Sequence, residues 1–271
     1  GPFDFIQCFA QPLPVLTICS ILGLPPEDYR KLKHLGAKLT ETLGLYVTLK
    51  ELVAINSAAR DLIDYFAQWL NDKRRHPDNS LISQILILNE KDGALLTDQE
   101  LISLYIFLFI AGEETSANLL GAGTYNLMQH RESWQTLCSN PHVANTSVEE
   151  LLRFDPSVQI AGRTALHDLT FAGKKIPAGS TLSLVIGSAN RDERAFEAPN
   201  ELRIDRTPNR HLTFGLGTHH CMGDWLARRQ AAIAFVTLTQ RFPTLHLTKE
   251  APEWNRVLTF RSLNRLMVAV G

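Results

Sequence analysis

The sequence predicts a mainly helical protein with small β-sheets confined to its second half. Two observations carry that expectation. Up to about residue 155 the chain shows apolar residues at helical spacing, punctuated by helix-type ends. Short strand-like runs separated by glycine and proline turns begin only after Pro156. No repeat, low-complexity tract or linker interrupts the 271 residues, so they read as one domain. Its helical part covers about 3–155 and its mixed part about 156–271, and Gly1-Pro2 reads as the scar of a cleaved tag.

The elements follow in chain order. Pro25-Pro26-Glu27-Asp28 opens a helix, because proline fits the first turn and acids suit the positive end. Ala54 to Leu70 carries a helical apolar stripe, and Lys73-Arg74-Arg75 complements the negative end. After a polar turn at His76 to Asn79 comes a short apolar stretch, Leu81 to Leu88. Thr97-Asp98-Gln99-Glu100 is a capping box, predicted to start a helix running to about His130, roughly 45–50 Å long. That helix is apolar nearly all round from Leu101 to Ile110 and is expected to lie in the core. Another capped helix is expected from Thr146-Ser147 to just before Pro156. Strands are predicted at Leu169 to Phe171, Lys174 to Ile176 and Thr181 to Val185, with turns at Gly173 and Pro177-Ala178-Gly179. A helix over Asp224 to Gln240 and a strand over Leu266 to Val270 complete the pattern.

A net charge of -1 argues against a nucleic-acid partner. Cys8, Cys19, Cys138 and Cys221 are scattered, as suits free thiols in a reducing compartment. The longest apolar run, Leu101 to Ala111, is about half the ~20 residues that a membrane span needs. With no signal peptide in view, a cytoplasmic protein without a membrane partner is expected.

The most informative segment is Phe214-Gly215-Leu216-Gly217-Thr218-His219-His220-Cys221-Met222-Gly223. Its glycines let backbone bend tightly and approach a flat ligand. Cys221 falls just before a predicted helix, whose free N–H groups and dipole favour a thiolate. A buried structural cysteine is the bland alternative. The pattern F-G-x-G-x-H-x-C-x-G fixes six positions, and a chance match is about one in a million.

This segment, continued by Leu226-Ala227-Arg228, resembles the cysteine loop of the cytochrome P-450 family, soluble bacterial type. The resemblance implies the fold of that family and haem b, with Cys221 as axial iron ligand and Phe214, Gly215 and Gly223 shaping the loop. It places His219 and Arg163, in Ala161-Gly162-Arg163-Thr164, near the haem propionates.

Ala111-Gly112-Glu113-Glu114-Thr115 breaks the apolar pattern of the long helix, as functional sites often do. Gly112 is expected to loosen the helix and open a groove. A helix merely reaching solvent is the plain alternative. The motif resembles the family's A-G-x-E-T, which implies that Ala111 and Gly112 line the haem and that Thr115 and Glu114 deliver protons.

Glu150 and Arg153 share a helix face at i,i+3. By the family resemblance they form a buried structural pair. The arginine that usually completes this network is left open between Arg203 and Arg206, because Glu201 stands where it often appears.

The resemblance runs from about Phe3 to Val270, and a complete member is expected to carry another third of its length ahead of this point. It implies a monooxygenase, or its truncated core, inserting one oxygen atom of O2 into an apolar organic substrate. Electrons would come from a ferredoxin or flavodoxin-type donor, and uncovered apolar surface would favour self-association. Two rival readings are a haem-binding scaffold without such activity and a peroxide-driven or isomerising haem-thiolate enzyme.

Overall fold

The computed structural model describes residues 1–40, 42, 47–255 and 257–271, and these fall into two units. One comprises Asp4–Ala117; the other comprises Asn118–Gly271 together with Gly1–Phe3.

After β1 (Phe3–Asp4), the first unit is built from α1 (Pro12–Leu22), α2 (Tyr29–Thr40), α3 (Leu49–Arg75), α4 (Leu81–Lys91) and the start of α5 (Asp98–Gln129). The Pro26–Asp28 segment forms a short 3-10 turn that leads into α2. α3 begins ahead of the apolar stripe that predicted it, because Thr48 and Glu51 form a capping box. The capping box at Thr97 and Glu100 is present as expected. Leu22, Leu32, Leu62, Phe66, Leu70, Ile82, Leu101, Tyr105 and Phe109 are fully buried, each contributing about 1.5–3 kcal/mol through lost water contact. Phe66 packs beside the rings of Tyr105 and Phe109, at 6.5 and 6.4 Å between centroids.

The expectation that α5 lies wholly in the core is corrected. Leu101, Ile102, Tyr105 and Phe109 are buried, but Ser103 and Ala111 are exposed and Phe107 is 56% exposed. Helical geometry puts these three on one side, a turn apart, so an all-round apolar composition still left one face outward.

The second unit contains the rest of α5, α6 (Arg131–Ser139), α7 (Ala144–Phe154), β2 (Ile160–Thr164), β3 (Leu169–Phe171), β4 (Lys174–Ile176) and β5 (Thr181–Val185). α8 (Ile186–Ala189), α9 (Asp224–Arg241), β6 (His246–Leu247), β7 (Glu253–Trp254), β8 (Leu263–Arg265) and β9 (Met267–Ala269) follow. The predicted strands appear as β3, β4, β5 and β9. β3 and β4 form a hairpin, β2 pairs antiparallel with β5, β7 pairs with β8, and β9 lies between β1 and β6.

α6 was not anticipated. It is short and mostly polar, and is held in place by buried Trp134, whose indole N–H donates to the Pro243 carbonyl, 2.9 Å. Arg131 donates to the Leu245 and Pro243 carbonyls, which pins α6 to the turn after α9. α7 starts at Ala144 without a side-chain cap, which corrects the capped start expected at Thr146-Ser147. Both hydroxyls donate back to the Val143 carbonyl instead of accepting an orphan N–H. No described helix is long and apolar enough to cross a membrane.

Candidate functional site

Glu150 and Arg153 are both fully buried on α7. Arg153 donates Nε to Glu150 Oε2 and Nη2 to Oε1, each at 2.8 Å. Its other N–H groups reach the carbonyls of Asn190, Pro199 and Glu201. The position left open is filled by Arg206, whose Nε lies 3.1 and 3.0 Å from the two Glu150 oxygens. Arg203 contributes its backbone N–H to Glu150 Oε1, 2.8 Å, and Asn209 donates Nδ2 to Oε2, 3.1 Å. One carboxylate therefore gathers α7, the 199–206 segment and the approach to the cysteine loop. Such charge-assisted bonds offset the cost of burying the ions.

The loop itself is tied to that assembly. Buried Asn190 accepts the Leu212 N–H and donates to Thr213 Oγ1, and this hydroxyl in turn donates to the Leu152 carbonyl. Gly215 and Gly217 have φ of 69° and 71°, the left-handed region where glycine is favoured. The chain turns back so that the Cys221 N–H donates to the Phe214 carbonyl, 2.8 Å. Cys221 is exposed, and Gly223 caps α9 immediately after it. Phe214, Gly215, His219, Cys221 and Gly223 are thus brought together in one loop. Arg163 lies on β2 opposite Leu182, and its Nη1 donates to its own neighbour's carbonyl at Gly162, 2.7 Å.

Around the exposed loop, partial loss of water about the sulfur and then the Asp224 charge push the Cys221 thiol above its ordinary range; the Gly223 N–H and Arg228 oppose this. The helix start that was to favour a thiolate carries an acid, Asp224, in its first turn.

In the Asp4–Ala117 unit, α5 runs unbroken through Ala111, Gly112, Glu114 and Thr115. Gly112 does not loosen it. A Cβ there would lie 3.0 Å from two Ile18 side-chain carbons, so the residue allows α1 to approach closely. The Thr115 hydroxyl donates to the Ala111 carbonyl, 3.0 Å, and Glu114 is half-buried. Glu113 does not reach solvent: it is 3% exposed, and its Oε2 has no hydrogen-bond partner among the described residues. Its Oε1 faces Gly36 of α2, where a Cβ would come within 3.1 Å of it. Burial, followed by the Glu114 charge, pushes the Glu113 carboxyl up to about 8, against an opposing effect of Lys33.

Sequence reasoning missed a further charged group beside the loop: Glu149, His211 and Arg228, joined by Asp224 and His220. The signals available were the adjacent acids Glu149-Glu150 and the i,i+4 spacing of Asp224 and Arg228.

These residues fit a flat, apolar, iron-bearing group. The cysteine sulfur stands on an exposed loop with Leu216, 72% exposed, nearby, and nothing lies within 4 Å of where a Gly217 side chain would begin. His219 and Arg163 supply basic groups suited to carboxylates. The site is thus a glycine loop that presents a cysteine ahead of a helix, backed by a buried Glu-Arg-Arg cluster.

Comparison with known proteins identifies the class. The cytochrome P-450 family model matches residues 137–264. The chain is 40% identical to the polyketide biosynthesis cytochrome P-450 PksS of Bacillus subtilis strain 168, over 99% of this chain and 65% of the relative. It is 38% identical to the biotin biosynthesis cytochrome P-450 of the same organism, over 98% of this chain and 67% of the relative. The crystal structure of P-450 BioI, in complex with acyl carrier protein ligated to hexadec-9Z-enoic acid, superposes with a TM-score of 0.94 at 37% identity. That match covers 100% of this chain and 69% of the other. The chain belongs to the cytochrome P-450 family, whose members bind haem. It spans about two thirds of the length of these relatives.

Proposed function

We propose that the chain is the haem-thiolate part of a monooxygenase that takes haem b and an apolar organic substrate. The observation that carries this reading is the exposed Cys221, held on a loop whose backbone is fixed by the Phe214 carbonyl and by Asn190. When bound, haem supplies the activation of O2 and the insertion of one oxygen atom into substrate.

The chain's own residues then have distinct tasks. Cys221 would give up its proton and supply the sulfur ligand to the iron. His219 and Arg163 would pair with the propionates. Phe214, Gly215 and Gly223 would shape the loop that holds the group, and the small residue Ala111 would contribute to binding it. Thr115 and Glu114 hold and pass protons, a task that typically contributes about 10²–10⁴-fold. Glu150, Arg153 and Arg206 keep the loop's foundation rigid. Electrons come from a ferredoxin or flavodoxin-type donor, and the protein works in the cytoplasm. Because P-450 BioI was solved with an acyl carrier protein bearing a hexadecenoic acid, a long acyl chain is the first substrate to try.

The test is a spectrum of the haem-loaded chain, reduced and exposed to carbon monoxide. The expected result is the strongly red-shifted carbonyl band of a thiolate-ligated haem, lost in Cys221→Ser while helical content stays. A band at the position typical of imidazole ligation, or one that survives Cys221→Ser, overturns the reading.

A further inference from the structure

The loop is braced by one carboxylate that the proposed chemistry does not use. Glu149 sits on α7 beside Glu150, but points to a different set of partners. Arg228 of α9 donates Nε to Glu149 Oε1, 2.6 Å, and Nη2 to Oε2, 3.3 Å. His211, whose side chain is only 2% exposed, places Nε2 3.1 Å from Glu149 Oε2. The Thr213 N–H donates to His211 Nδ1, 3.3 Å, which assigns the ring proton to Nε2 and directs it at Glu149. Arg228 also donates Nη1 to Asp224 Oδ2, 2.5 Å, and His220 Nε2 lies 3.2 Å from the same oxygen. His220 Nδ1 is 3.2 Å from the Gly215 carbonyl.

These contacts converge on Phe214. The Arg228 guanidinium lies 4.4 Å from the centre of its ring, and the His211 ring lies 5.9 Å away. The Phe214 carbonyl in turn receives the Cys221 N–H. An exposed loop with two left-handed glycines has many conformations available, and ordering one backbone residue costs about 1–2 kcal/mol. A surface ion pair would do little against that cost, but a half-buried, two-pronged Arg–Glu pair with a buried histidine behind it is fixed in geometry.

We infer that Glu149 and Arg228 are positioning residues for the Cys221 ligand. They clamp Phe214 from α7 and α9, and thereby fix the carbonyl against which the Cys221 amide is held. The direction of the sulfur is then set by two helices and not by the loop. Asp224 and His220 tie the exit of the loop to the same guanidinium as its entry. The inference rests on the proposed role of Cys221 as ligand, while the brace itself exists in the chain without haem.

The experiment uses the full chain with Glu149→Ala, Glu149→Gln and Arg228→Lys, each read in two ways. Without haem, hydrogen exchange of the Cys221 amide and iodoacetamide labelling of Cys221, relative to exposed Cys8, report loop order directly. We expect exchange to accelerate about 10-fold in Glu149→Ala and less in the other two. With haem, we expect the red-shifted carbonyl band of the wild type to give way by at least half to a blue-shifted one in Glu149→Ala. Glu149→Gln should restore part of it. If Glu149→Ala does not fold, Glu149→Gln and Arg228→Lys decide, since each retains side-chain bulk and one polar contact. A lowered melting temperature with wild-type exchange at Cys221 and a wild-type band would overturn the inference and leave a simple α7–α9 staple. A wild type without any thiolate band would overturn the proposed function, while the exchange measurement still judges the brace.

Discussion

Glu150 and Glu113 are both buried glutamates on helices, and they are buried in opposite ways. Glu150 accepts from Arg153, Arg206, Asn209 and the Arg203 backbone, so each oxygen has more than one donor. Glu113 has an Oε2 with no partner among the described residues and faces the bare backbone of Gly36. The first is a carboxylate whose charge organises structure. The second is held protonated by its surroundings, and it weakens the unit that contains it once it ionises. Burial does not determine the cost of an acid; the supply of donors does.

The largest expected effect comes from emptying the satisfied site. Glu150→Ala leaves Arg153 and Arg206 buried without their carboxylate, at a cost of about 3–5 kcal/mol. Urea denaturation followed by circular dichroism should show most of that loss, and a wild-type midpoint would mean that the cluster is replaceable. Arg206→Met removes one of the two cations and should cost less, about 1–3 kcal/mol, in the same assay.

At Glu113 the sign reverses. Glu113→Leu removes the orphan oxygen and should stabilise the protein by roughly 1–2 kcal/mol at pH 8.5. The pH dependence sharpens this contrast. The folded carboxyl is raised from 4.5 to about 8, so between those values the native state holds a proton that the unfolded state has released. Stability therefore falls as pH rises through that window and levels off above about 8. Urea midpoints at pH 6, 7, 8 and 9 should decline in the wild type and decline less in Glu113→Leu. Parallel curves would show that Glu113 finds a partner in solution.

Glu100 offers the exposed case. It is satisfied by the Thr97 N–H and hydroxyl, each at 2.8 Å, but stands in water. Glu100→Gln should move the urea midpoint least of all these variants. A shift as large as that of Arg206→Met would erase the distinction between buried and exposed acids drawn here.

Much of the site was legible because its chemistry is local in sequence. The six fixed positions around Cys221 sit within one loop, and Glu150 and Arg153 are one helical turn apart. After Pro156, β3, β4 and β5 were legible from their turns, whereas β2, β6, β7 and β8 were not anticipated. What escaped depends on residues far apart in the chain. The choice of Arg206 over Arg203 needs 56 residues of separation to close, and the Glu149–Arg228 pair needs 79. The role of Gly112 was misread because only the presence of Ile18 against it tells close packing from loosening. Glu113 and Glu114 look alike as neighbours, yet successive helix positions point about 100° apart, and only one of them is fully buried. α6 was invisible because its anchoring contacts go to carbonyls more than a hundred residues away.

The reach of Glu150 also orders events at the ribosome. Its second guanidinium is encoded 56 residues downstream, and synthesis at about 5–20 residues per second delivers it roughly 3–11 s later. During that interval α7 carries a carboxylate with only Arg153 to match it. Glu150 has its full set of donors only once the 199–209 segment has emerged. The cysteine loop follows directly after that segment, so the residues that brace the loop are encoded just ahead of the loop itself.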